Sequence, residues 1–162
     1  MGYTIAICDD DKTMADKLTA SLKNEFMKAG RNDVIIDYYD TGVQLLEALK
    51  NKMYKAVLLD INMEPMDGFS VAEAIGKSGY RTKIIFVTSH EDVVYDTFDY
   101  TPFYFIRKSR YETYVQRVVK KLIAIDGYEK TIVLDDKDGI ININSGDITY
   151  VHSEDHYLTV HT

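Results

Sequence analysis

The stretch AVLLDINMEPMDG, residues 56–68, sets four consecutive apolar residues against a single carboxylate, Asp60, and then runs through a loop to a glycine. A run that short and unbroken reads as a strand buried on both faces, and such strands belong to parallel sheets covered by helices. The same texture recurs at Thr4–Cys8, Val34–Tyr38, Lys83–Val87 and, with aromatic residues, Phe103–Arg107. Between these runs the apolar residues recur every three or four positions. Met14, Leu18, Leu22, Phe26 and Ala29 form one stripe that stops at Gly30, and further helices are expected near Val43–Lys50, Ser70–Lys77, Val93–Asp99 and Tyr111–Ile125. Strand and helix alternate five times, which predicts stacked βα units over residues 4–126.

From Asp126-Gly127 onward the period changes to two. TIVL, IININ, ITYVH and YLTVH, separated by DDKDG, SGD and SED, read as hairpin-linked antiparallel strands. Residues 127–162 hold seven acidic residues against Lys130 and Lys137, so −5 of the chain's formal charge of −7 lies there. That charge, with a pI near 5.0, repels phosphate backbones and excludes nucleic-acid binding through overall charge. One cysteine, Cys8, excludes a disulfide scaffold. No apolar run approaches the roughly 20 residues of a membrane span, and the N-terminus runs into an acidic cluster where a signal peptide would have its cleavage site. The expectation is a cytoplasmic protein with no membrane partner.

In a parallel α/β sheet, ligands bind beyond the carboxyl ends of the strands. The first strand ends in Asp9-Asp10-Asp11, the third in Asp60, the fourth in Thr88-Ser89 and the fifth in Arg107-Lys108. Carboxylates gathered at one edge repel one another and are relieved by a proton or a hard divalent cation, of which Mg²⁺ is the natural choice. A carboxylate beside Mg²⁺, with a hydroxyl and a lysine to receive the equatorial oxygens of an incoming phosphoryl group, is a nucleophile arranged to form an aspartyl phosphate. Asp60 suits that role because it stands alone after its strand, leaving Asp9 and Asp10 to hold metal.

AICDDDKTMADKL, VLLDINMEPMDGFSVAEAI, IIFVTSHED and FYFIRKS resemble, in order and spacing, the four signatures of the receiver domain of two-component response regulators. The resemblance covers residues 3–126. It implies a flavodoxin-like, doubly wound sheet of five parallel strands in the order 2-1-3-4-5, and a non-enzymatic role in which the domain catalyses only its own phosphotransfer and dephosphorylation. It further implies Asp60 as phosphoacceptor from a sensor histidine kinase, and Mg²⁺ held by Asp9, Asp10, Asp60 and the backbone carbonyl of Asn62. Thr88 and Lys108 would sense the phosphoryl group, and Phe105 would be the aromatic switch that turns phosphorylation into homodimerisation through the fourth helix, fifth strand and fifth helix. Two positions depart from the family: Glu64 stands where a proline is usual, with Pro65 after it, and Ser109 replaces the cis-proline that usually follows the lysine. ITYVHSEDHYLTVHT resembles the opening strands of the LytTR DNA-binding domain. Residues 1–126 are thus expected to be the receiver, and 127–162 an incomplete LytTR domain. Promoter DNA would be a partner of the complete protein but not of these 162 residues.

Asp9-Asp10-Asp11-Lys12-Thr13 also fits the opening motif of the haloacid dehalogenase phosphohydrolases, with Asp9 as nucleophile and Thr88, Lys108 and Asp135-Asp136 for the later motifs. That reading leaves LLDINMEPMDG unexplained. A receiver-like module that binds without being phosphorylated is a third alternative. His152, His156 and His161 read as structural, since strand alternation sends them to different sides, and Cys8 reads as a small core residue.

Overall fold

The structure is a computed structural model that describes residues 2–89, 100–126, 131–136, 139–144, 148–154 and 157–161. Its elements are β1 (Tyr3–Cys8), α1 (Lys12–Lys28), β2 (Val34–Tyr39), α2 (Gly42–Leu49), β3 (Ala56–Asp60), α3 (Gly68–Lys77), β4 (Lys83–Thr88), β5 (Tyr104–Arg107) and α4 (Tyr111–Asp126), followed by β6 (Thr131–Asp136), β7 (Gly139–Asn144), β8 (Tyr150–Glu154) and β9 (Tyr157–His161). The helix expected near Val93–Asp99 lies outside the described residues. The chain divides into two compact units, Met1–Val119 and Lys120–Thr162, and the division falls within α4.

In the first unit, five parallel strands run in the order β2-β1-β3-β4-β5, as the sequence predicts. All five residues of β3 are buried, which is why its apolar run is unbroken. Strand alternation splits the core in two. Ala6, Cys8, Val57, Leu59 and Phe86 pack with Leu45 and Leu49 of α2 and with Val71, Ala72 and Ile75 of α3. Tyr3 faces the other way, its ring 5.1 Å from that of Phe26 on α1. Met14, Leu18, Leu22 and Phe26 are all buried, so the stripe at every fourth position holds α1 against the sheet. Each such side chain stabilises the fold by about 1.5–3 kcal/mol.

The helix ends follow from local chemistry. Asp11 caps α1, its carboxylate accepting from the amides of Thr13 and Met14, and Gly30 at φ 77° turns the chain out after Lys28. Asp67 caps α3 by accepting from the Ser70 amide at 2.7 Å.

In the second unit, β6 pairs with β7 and β8 with β9, both antiparallel, giving two separate two-stranded sheets. The register corrects one expectation about the histidines. Tyr150 pairs with His161 and His152 with Thr159, so His152 and His161 share a face of the hairpin. Alternation along one strand had to be combined with pairing across two to see this. His161 stacks on Tyr150, with ring centroids 4.1 Å apart, and His156 lies outside the described residues. Among the described residues no helix is long and apolar enough to cross a membrane.

Candidate functional site

The register of the central strands assembles the site. Cys8 pairs with Leu59, Asp60 with Val87, and Thr88 with Arg107. One step beyond the ladder on each strand therefore brings Asp9 beside Asp60, and Lys108 just past Thr88. The side chains converge: Lys108 Nζ donates to Asp60 Oδ2 at 2.9 Å and lies 2.9 Å from Asp9 Oδ2. The second approach is an ion pair, and Asp9 Oδ2 is a buried oxygen whose close contact is the Lys108 ammonium. The Lys108–Ser109 peptide is trans. Lys108 thus reaches both carboxylates without the family's usual proline; Lys108–Arg110 forms a single 3₁₀ turn that leads into α4.

Asp9 and Asp60 are only 1% and 3% exposed, whereas Asp10 faces solvent. Oxygens of these three carboxylates lie within 4.8 Å of one another, the only such group of three metal-ligating side chains among the described residues. Two like unit charges at that separation repel by about 3–4 kcal/mol at an effective dielectric near 20. The strain is visible in Asp60. Burial pushes its carboxyl up to about 6 and the charge of Asp9 adds to this, against the opposing pull of Lys108 and the backbone amide of Asn62. For Lys108, burial acts downward but is outweighed by its contacts with Asp9 and Asp60, which hold the ammonium above its ordinary value. Three carboxylates with oxygens within 4.8 Å of one another, against the single ammonium of Lys108, form a hard-oxygen donor set with negative charge to spare, which fits a small divalent cation.

Thr88 is buried at the end of β4. It lies on the same side of the sheet as Phe86, whose cross-strand partner is Phe105, and Phe105 packs against the core under α2 and α3. Cys8 is the small core residue expected: burial, followed by the charges of Asp9 and Asp60, pushes its thiol up to about 12, and it donates to Met63 Sδ at 3.6 Å.

Two features of the site were not read from the sequence. Gly68 donates its amide to the Ile61 carbonyl at 2.9 Å, bringing the start of α3 directly against the end of β3. The hydroxyl of Tyr38, on β2, donates to the backbone carbonyl of Asp9 at 3.0 Å. The offset of Met66-Asp67-Gly68 from Asp60 was a signal for the first, and nothing in the sequence signalled the second.

Residues 5–120 match the response regulator receiver domain family. The chain belongs to it. The receiver domain is a signalling family and not an enzyme family, which sets aside the phosphohydrolase alternative, and Asp11 is accordingly engaged as a helix cap. The chain is similar to the transcriptional regulatory protein YpdB of Escherichia coli K12, 28% identical over 90 residues that make up 56% of this chain and 37% of YpdB. It thus spans little more than a third of that relative. The sensory transduction protein LytT of Bacillus subtilis is 22% identical over an alignment covering 98% of this chain and 68% of LytT. Among solved structures, TrrA of Thermotoga maritima, in complex with Mg²⁺-BeF, is 28% identical with a TM-score of 0.61, over 75% of this chain and 99% of that one. The mrkE response regulatory domain of Klebsiella pneumoniae shares the fold with a TM-score of 0.68 at 21% identity, over 77% of this chain and 98% of that one.

Proposed function

We propose that the first unit accepts a phosphoryl group on Asp60 from the phosphohistidine of a sensor histidine kinase. A carboxylate oxygen of Asp60 forms the new bond to phosphorus as the bond from phosphorus to the histidine nitrogen breaks, leaving an acyl phosphate on Asp60 and a free imidazole on the kinase. The single observation that carries this reading is the Lys108 ammonium drawn onto the buried carboxylates of Asp60 and Asp9 at the strand ends. In the phosphorylated form Lys108 and the Thr88 hydroxyl receive the phosphoryl oxygens. Asp9, Asp10, Asp60 and the carbonyl of Asn62 hold Mg²⁺, which when bound supplies positive charge against the phosphoryl oxygens. Intact-mass measurement after incubation with a small phosphodonor and Mg²⁺ tests this. One added phosphoryl is expected, and none in Asp60→Asn; a label that survives in Asp60→Asn but not in Asp9→Asn, or no label at all, overturns the reading.

Downstream, residues 1–126 act as the receiver and 127–162 as the opening part of a LytTR-type DNA-binding domain. The alignment with LytT supports this, since it runs through the tail. Thr88 moves toward the phosphoryl oxygens, Phe105 rotates into the space it leaves, and the altered surface promotes homodimerisation. A shift from 1:99 to 99:1 requires about 5.5 kcal/mol of differential stabilisation. Sedimentation with and without beryllofluoride is expected to show tighter self-association with it; equal monomer–dimer constants sink the switch.

In the full-length protein the output is control of transcription. Within residues 127–162 only Lys130 and Lys137 offset seven acidic groups, while useful DNA affinity needs several phosphate contacts. Fluorescence anisotropy with promoter fragments at physiological salt should therefore show only weak, sequence-independent binding by these 162 residues; tight specific binding refutes that.

A further inference from the structure

The backbone around Asp9 is held from two sides. Its amide donates to the Tyr39 carbonyl at 3.1 Å, the last rung that ties β1 to β2. Its carboxylate Oδ1 accepts from the Asp11 amide at 2.9 Å, closing the turn into α1. Its carbonyl accepts the Tyr38 hydroxyl at 3.0 Å. With these three groups engaged, Asp9 Oδ2 is the one polar atom of the residue left facing the site, in contact with Lys108.

Tyr38 also touches α1. It sits at the rim with the Lys12 ammonium 4.7 Å from its ring centroid, and Lys12 pairs in turn with Asp16. Lys12 and Asp16 both lie on α1, the helix that Asp11 caps. One side chain from β2 therefore ties the acidic turn to the first turns of α1. We propose that Tyr38 is a positioning residue for the acidic site: its hydroxyl, bonded to the Asp9 carbonyl, fixes the turn through Asp9, Asp10 and Asp11 so that the carboxylates of Asp9 and Asp10 are set for a divalent cation before it arrives. This rests on the reading of Asp9 and Asp10 as cation ligands.

The physical reason is preorganisation. A ligand that must be frozen on binding costs affinity, and partners that orient ligands from behind typically change metal affinity by about 10- to 100-fold when removed. The neighbouring Tyr39 provides the control. Its side chain leaves the opposite face of β2, and its hydroxyl shares a hydrogen with that of Tyr54 at 2.6 Å, away from Asp9.

The test is a titration with Mg²⁺ alone, followed by two-dimensional amide NMR at Asp10, Asp11 and Asp60, in the parent protein, Tyr38→Phe, Tyr39→Phe and Asp10→Asn. Tyr38→Phe keeps the ring beneath Lys12 and removes only the donor. Its Mg²⁺ midpoint is expected to rise about 10-fold, with the parent value retained in Tyr39→Phe and no saturable response in Asp10→Asn. An unchanged midpoint in Tyr38→Phe overturns the inference while leaving the cation site standing. Equal shifts in Tyr38→Phe and Tyr39→Phe overturn it too, because both tyrosines would then serve only the stability of β2. If the parent itself shows no saturable response, the cation reading falls first and the inference falls with it.

Discussion

Gly68→Ala should lower phosphoryl acceptance at Asp60 about 100-fold, the scale on which displacements of about 1 Å at a reacting group act. A Cβ at Gly68 would lie 2.2 Å from the Asp60 carbonyl oxygen and 2.9 Å from the Ile61 Cα. Both are backbone atoms, so no side-chain rotation relieves the clash. Either the end of β3 or the start of α3 must give way. The first displaces Asp60, the proposed phosphoacceptor, and the second breaks the hydrogen bond from the Gly68 amide to Ile61 and disturbs the cap at Asp67. Overpacking of this kind also costs about 1–3 kcal/mol of stability. Gly76→Ala separates site from helix, because nothing lies within 4 Å of a Cβ there. It should label like the parent and gain about 0.5–1 kcal/mol from helix propensity. Labelling rates by intact mass, with thermal melts of both variants, check this; a Gly68→Ala protein that labels and melts like the parent would show that the close approach is not needed.

The positions of Asp9, Asp60, Thr88 and Lys108 were legible because they depend on strand ends, and strand ends are marked where β-branched runs stop. Once five strand runs alternate with helical stripes, the chain has few ways to stack, and the residues that follow each run must meet at one edge. Only β1, β3 and β4 are mostly buried, while β2 and β5, at the two edges of the sheet, are largely half-exposed, which a shared apolar texture does not reveal. The departure at Ser109 could not be judged in that way. Whether Lys108 reaches its carboxylates depends on the path of a single 3₁₀ turn, which no periodicity encodes. Tyr38 was hidden for a similar reason. Its partner is a backbone carbonyl 29 residues away, and a main-chain acceptor leaves no mark in the sequence. In the tail, alternation identifies the strands but not which residues face one another, so the expectation that the three histidines point to different sides fails for His152 and His161, which the hairpin places on one face.

Lys108→Met should destabilise the first unit by about 3–5 kcal/mol at pH 8, since removing one partner from a buried ion pair leaves charge uncompensated. The loss should shrink steadily as the pH falls. Lys108 bridges two carboxylates with almost no solvent exposure, and no other cation is found against either of them among the described residues. Even with Lys108 present, burial and the Asp9 charge hold Asp60 at about 6, above its ordinary value of 3.8. A carboxyl whose folded value exceeds its unfolded value opposes folding when ionised. The parent's stability should therefore fall as pH rises from about 4 through 6, and level off above. Without the ammonium the folded value of Asp60 rises further, so the variant pays a penalty that starts in the same window, extends to higher pH, and is smallest where Asp60 is protonated in both the folded and the unfolded chain. Asp60→Asn should do the reverse, removing one of two competing charges and leaving Lys108 to Asp9, with a gain in stability over the parent that is largest above pH 6. Urea unfolding of the three proteins between pH 4 and 8 checks both signs; a Lys108→Met deficit that does not change with pH would place the role of Lys108 in packing, not in charge.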